Sequence, residues 1–210
     1  MKLIRSISGI RGIIGQNFND QIAAEYAKSF SSIQPDGPSL IGRDTRNQGF
    51  EITNAIKSSL TFLGRDIFDC DIAPTPIIQF LAKKLNTCGA IMVTASHNPE
   101  EWNGLKFIDS DGCFINENKN QKLLENFDKN LNYPKSDYTG KILDKREAIS
   151  LFIESLFDLD FIDINSIKDR NFKVVIDTVN GANFSILPTI LKKLNCDVVE
   201  VFCNNSGVFD

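Results

Sequence analysis

Short apolar runs alternate with helical stretches along this chain, and that alternation is what most limits its fold. Ser39-Leu40-Ile41-Gly42 reads as a short strand entering Arg43-Asp44-Thr45-Arg46. Glu51 to Leu63 then places Ile52, Ala55, Ile56, Ser59 and Leu63 on one helical face, and Gly64 closes the helix. Asp66 to Asp71 is the next strand. Pro74-Thr75-Pro76 opens a helix over Ile77 to Leu85, with proline in its first turn. Cys88 to Val93 is a buried strand, and Leu105 to Ile108 another, with Lys106 at its start. Asp109-Ser110-Asp111-Gly112 reads as a turn into Cys113-Phe114-Ile115, and Asn118 to Asn130 as a polar helix. Strands and helices in this order specify an α/β fold, expected here as a mixed sheet sandwiched by helices.

Apolar density falls between Asn132 and Lys145, and Tyr133-Pro134-Lys135-Ser136-Asp137 reads as an exposed connection. The expected division is therefore 1–140 and 141–210. In the second part, Leu151 to Leu159 is helical and Phe172 to Asp177 is a strand. The loop Thr178 to Asn183 leads into a helix ending near Leu194, and Asp197 to Phe202 is a further strand. Two strands and one crossover helix cannot bury both faces of a parallel sheet, so this part reads as the beginning of a second, similar α/β domain.

A net charge of −4, from 23 basic and 27 acidic residues, argues against bulk nucleic-acid binding. It leaves room for a local basic pocket. No apolar run approaches the roughly 18 residues that span a bilayer, and the N-terminus lacks the pattern of a signal peptide. Five cysteines without a CxxC pair point to reduced, mostly buried thiols in a cytoplasmic protein, with neither zinc nor a redox dithiol indicated.

The chemistry concentrates in Thr94-Ala95-Ser96-His97-Asn98-Pro99 and the following Asn103-Gly104-Leu105-Lys106-Phe107. A loop after a strand is where α/β proteins present ligands. Ser96 is either a helix N-cap or a nucleophile. If a helix starts there, its first N–H groups favour an anion on the hydroxyl. His97 is the chain's single histidine. In an extended loop its ring points away from Ser96, so orienting the loop or contacting phosphate suits it better than acting as base. A Ser-His-Asp hydrolase would need a histidine from elsewhere, and no Gly-x-Ser-x-Gly elbow occurs. Lys106 is either a solvated charge or, beside a phosphate, a neutralising group able to serve as acid or base. Glycines flank Arg11 in Ser8-Gly9-Ile10-Arg11-Gly12-Ile13-Ile14-Gly15, as in a loop that lets backbone approach a ligand. Gly42 to Arg46 fits a structural salt-bridge turn at least as well as a phosphate contact. No Walker A loop is present, and the Asp109 turn departs from an EF-hand after its glycine.

The order of these motifs, from Ser8–Gly15 through Gly42–Arg46, Pro74–Pro76, Thr94–Pro99 and Asn103–Phe107 to Asp177–Asn183, resembles the α-D-phosphohexomutases across essentially the whole chain. The resemblance implies an intramolecular phosphotransferase that interconverts hexose 6-phosphate and hexose 1-phosphate through a phosphoserine and a hexose bisphosphate. On that match Ser96 carries the phosphoryl group, Lys106 is a general acid/base, and Arg11 contacts the transferring group. His97 and Asn98 belong to the phosphate loop. One Mg²⁺ is implied, bound in part by the phosphate on Ser96. The family's remaining metal ligands lie in an Asp-Gly-Asp-x-Asp-Arg loop that these residues lack. The chain thus resembles the N-terminal portion of a longer four-domain enzyme and is expected to be inactive alone. Gly-Ile-Arg-Gly and Gly-Arg-Asp-Thr-Arg are similar to phosphoglucosamine mutases, whereas Ser6-Ile7-Ser8 departs from their Phe-Gly-Thr-Asp. Phosphomannomutase, phosphoglucomutase and a non-catalytic sugar-phosphate-binding module are the alternatives.

Overall fold

All five residues of Gly89–Val93 are buried, which requires a sheet covered on both faces. The computed structural model, which describes residues 2–209, provides that sheet. The first part of the chain forms β1 (Ile4–Ser6), β2 (Gly9–Ile13), α1 (Asp20–Ser31), β3 (Ser39–Arg43), α2 (Gly49–Phe62), β4 (Ile67–Ile72) and α3 (Thr75–Lys84). Then follow β5 (Gly89–Val93), β6 (Trp102–Asp109), α4 (Glu117–Asp128), β7 (Ile142–Asp144), a 3₁₀ turn at Arg146–Ala148 and α5 (Ile149–Phe157). The last elements are α6 (Ile164–Asp169), β8 (Lys173–Asp177), α7 (Ile186–Lys193) and β9 (Asp197–Val201).

Seven strands join in the order β1-β2-β6-β5-β3-β4-β7, and β8 pairs with β9 separately. The β5-β3-β4-β7 side is parallel and the β1-β2-β6-β5 side antiparallel, so the sheet is mixed. Alternation along each strand feeds two cores. Ile41, Ile91, Val93, Leu105 and Phe107 meet Tyr26, Phe30, Ile52, Ile56 and Leu123 from α1, α2 and α4 on one face. Leu40, Ala90, Met92 and Ile108 meet Ile77, Ile78, Leu81 and Ile153 from α3 and α5 on the other.

Several elements depart from expectation for physical reasons. Arg11 lies on β2, not in a loop, and the glycines around it serve packing. A Cβ at Gly9 would come within 2.0 Å of the Leu105 carbonyl oxygen. β6 begins at Trp102, because Trp102, Asn103 and Gly104 pair with Ile13, Gly12 and Arg11. Lys106 therefore sits inside a strand opposite Met92, not at a strand mouth. α1 carries a visible signal, with Asn19 accepting from the Ile22 N–H and Ala23, Tyr26, Ala27 and Phe30 buried. Only Cys70 and Cys88 of the five free cysteines are buried, since Cys113 lies exposed beyond the Gly112 turn. No helix among the described residues is long and apolar enough to cross a membrane.

Two elements past residue 140 belong physically to the first sheet. β7 pairs in parallel with β4, and Phe152 of α5 meets the Phe80 ring of α3 edge-on at 5.5 Å. Ile186 of α7 joins the same apolar cluster. On β8 and β9, by contrast, the paired Val175 and Val199 are 68% and 41% exposed. Urea unfolding tests this distribution. Ile91→Ala, at a site with no exposure, is expected to lose about 2–5 kcal/mol. Val175→Thr is expected to stay within about 0.5 kcal/mol of the parent.

Candidate functional site

Parallel strands β3 and β5 lie side by side, and their carboxyl ends release the Arg43–Arg46 and Thr94–Pro99 loops together. The Asp44 N–H donates to the Val93 carbonyl at 3.0 Å, which ties the loops at their base. No helix follows Ser96. The chain turns instead, with the Asn98 N–H donating to the Ala95 carbonyl at 3.2 Å. Ser96 is exposed and has a φ of +58°, in the left-handed region that a non-glycine residue adopts at a cost. The N-cap reading of Ser96 is thereby removed.

The turn also changes where His97 points. Its Nδ1 lies 3.5 Å from the Ser96 Oγ, at the limit of a hydrogen bond, rather than directed away from it. The expected divergence assumed an extended loop, and a left-handed Ser96 folds the two side chains toward each other.

Beneath the loop lies a buried polar core. Arg46 donates from Nη1 to the carbonyls of Pro99 (2.7 Å) and Trp102 (3.1 Å). From Nη2 it donates to those of Ser96 (3.1 Å) and Asn98 (2.7 Å). Its Nε donates to Asp44 Oδ2 at 3.1 Å. Thr94 Oγ1 donates to the same carboxylate oxygen at 2.6 Å and accepts from the Ser96 N–H at 3.0 Å. Burial pushes the Asp44 carboxyl up, while the Thr94 hydroxyl and the Arg46 guanidinium pull it down. With only donors facing its oxygens, Asp44 is set up as a carboxylate. The salt-bridge turn left open by the sequence is thus real, and its donors are spent on the neighbouring loop.

The second α/β unit closes over the same residues. Thr45 Oγ1 donates to the Asn180 carbonyl at 2.8 Å, and the Phe209 ring lies 4.7 Å from the Arg46 guanidinium carbon. A Cβ at Gly207 would fall 2.1 Å from the Thr45 carbonyl oxygen, so only glycine permits that approach. Between the units is a cleft of about 590 Å³, lined in part by Ser96, His97, Thr75, Asn183 and Phe209.

Arg11 reaches the loop from β2 and donates to Asn98 Oδ1 at 3.2 Å and Ser8 Oγ at 3.3 Å. Lys106, half-buried on β6, has its ammonium 5.8 Å from the Phe114 ring centre. Burial, with help from the Arg11 charge, pulls its pKa below the usual lysine value. Ser96, His97 and Asn98 line the cleft, whereas Arg11 and Lys106 do not. Asp44, Thr94 and the span of Arg46 across the loop went unread, because hydrogen bonds to backbone carbonyls leave no side-chain pattern in a sequence. A Mg²⁺ finds little here. Ser96 offers one oxygen, and no three His, Cys, Asp or Glu side chains converge among the described residues.

Comparisons with known proteins agree with this geometry. The sequence model for phosphoglucomutase/phosphomannomutase alpha/beta/alpha domain I matches residues 2–134, and that for domain II matches residues 150–210. The chain is 34% identical to a phosphoglucosamine mutase of Nautilia profundicola, over 96% of this chain and 46% of the relative. It is 33% identical to a phosphoglucomutase/phosphomannomutase of Thermococcus kodakarensis, over 96% of this chain and 45% of that protein. A crystal structure of a phosphoglucomutase/phosphomannomutase family protein from Burkholderia thailandensis superposes with a TM-score of 0.79 at 27% identity, covering 98% of this chain and 46% of that one. The chain therefore spans less than half the length of these relatives.

The depressed Lys106 pKa has a direct consequence. Arg11→Ala removes a like charge, so the pH at which an amine-reactive acylating reagent half-labels Lys106 is expected to rise. Peptide mass spectrometry across a pH series reads the shift, and an unchanged or lower midpoint would contradict it.

Proposed function

This chain belongs to the phosphoglucomutase/phosphomannomutase family, and we propose that it carries the phosphoserine part of a hexose-phosphate mutase acting on glucosamine phosphate. The observation that supports this most is the Ser96 loop, an exposed hydroxyl held out from a buried network at the edge of a cleft. The preference for glucosamine phosphate rests on the 34% identity to a phosphoglucosamine mutase. Glucose and mannose phosphates are the competing substrates.

In the proposed cycle Ser96 Oγ carries a phosphoryl group. A hydroxyl oxygen of the sugar monophosphate attacks the phosphorus, and the bond from phosphorus to Ser96 Oγ breaks. The hydroxyl proton passes to Lys106, whose lowered pKa favours the neutral amine that accepts it. The product is a bisphosphate. After the sugar reorients, its other phosphoryl group returns to Ser96 Oγ and the proton returns to the freed hydroxyl. Arg11 neutralises charge on the transferring group, and Asn98 holds Arg11 in place. Phosphoryl transfer gains mainly from positioning and charge neutralisation, which suits two cations beside a fixed hydroxyl. A Mg²⁺ in such a cycle would draw its ligands from outside the described residues, apart from the Ser96 phosphate.

Incubation with glucosamine 1,6-bisphosphate and Mg²⁺, followed by mass measurement of the Ser96 peptide, tests the reading. A phosphate on Ser96 that Ser96→Ala abolishes is the expected result, and an unmodified peptide would favour a non-catalytic binding module. In a coupled assay these 210 residues alone are expected to show no interconversion of hexose phosphates. Turnover at a measurable rate would overturn that expectation.

A further inference from the structure

Ser96 is held from both of its peptide groups. Its N–H is fixed by Thr94 Oγ1 at 3.0 Å and its carbonyl by Arg46 Nη2 at 3.1 Å. These two bonds bracket the φ of +58°. Both anchors return to one atom, since Asp44 Oδ2 accepts from Thr94 and from Arg46. The guanidinium also gathers the carbonyls of Asn98, Pro99 and Trp102. The loop is therefore wound around one planar cation, and the left-handed turn aims the hydroxyl.

We infer that Arg46 is a positioning residue for phosphoryl transfer, fixing the direction of Ser96 Oγ through the backbone of residues 96–102 without touching the substrate. The inference rests on Ser96 as the phosphoryl carrier. A guanidinium is needed because its planar fork serves four carbonyls and a carboxylate at once. A lysine ammonium has three donors on one atom and cannot span them. Phe209 stacks on the guanidinium, so the second unit caps the same device.

Arg46→Lys is the variant to make, because it keeps the buried charge that Asp44 requires. Hydrogen exchange of residues 94–102 and the rate of Ser96 phosphorylation by hexose bisphosphate are measured together. The expected result is faster exchange in this loop only, with unchanged exchange in α1 and β5. The maximal phosphorylation rate should fall about 100-fold while the half-saturating bisphosphate concentration moves less than about threefold. Thr94→Ser, which keeps the hydroxyl, should retain parental exchange and rate. If Arg46→Lys loosens α1 and β5 together with the loop, its role is general stability and the inference falls. Parental loop exchange, or a parental maximal rate, also overturns it. If the parent chain takes no phosphate on Ser96, the phosphotransfer reading and the catalytic part of the inference fail together. The exchange result still decides whether Arg46 orders the loop. A Phe209→Leu variant that folds normally is the second check, with a smaller change of the same kind expected.

Discussion

Arg46 is a full positive charge at 1% exposure, with Asp44 as the carboxylate beside it. A buried ion pair by itself contributes little net stability, because desolvation offsets the attraction. The arrangement holds together because every donor of the guanidinium finds an oxygen, and four of those oxygens belong to a loop that would otherwise leave its carbonyls unpaired. The Thr94–Pro99 loop, the Thr45 contact with Asn180 and the seat of Phe209 all depend on that one side chain being in place. Removing it would strand four carbonyls and one carboxylate, so it is easier to alter its shape than to delete it.

Much of the architecture was legible because it follows from period and punctuation. The run Ala90 to Val93 is apolar without alternation, as a strand covered on both faces must be, and Gly64 follows its helix where the chain turns left-handed at φ +82°. The β2 strand was not legible. Its glycines look like loop residues, yet they are there because Leu105 and Phe18 leave no room for side chains. The start of β6 was hidden for a related reason. Asn103 and Gly104 have poor strand propensity, and pairing with β2 overrides it.

At the site, the sequence displayed the groups with reactive side chains and concealed the ones that aim them. Ser96, His97, Arg11 and Lys106 stand out by residue type. Their arrangement depends on a backbone angle at Ser96 and on carbonyls near Arg46, neither of which is written in residue identity. The glycine-flanked Arg11 was correctly placed beside the loop, and its partner there is Asn98. Asp44 read as half of a local salt bridge, and only the fold shows that its other oxygen contacts reach Thr94, fifty positions away.

The apolar cluster that holds Ile77, Ile78 and Leu81 of α3 also holds Ile153 of α5 and Ile186 of α7. Residues from both sides of the 140/141 division therefore share one interior. For anyone exchanging segments between relatives, this sets the grain of the molecule. A graft cut at 140 would separate β7 from the strand it pairs with and Phe152 from Phe80. Residues 142–157 are better treated as cargo of the first sheet, and Ile186 and its α3 neighbours as a matched set inherited together.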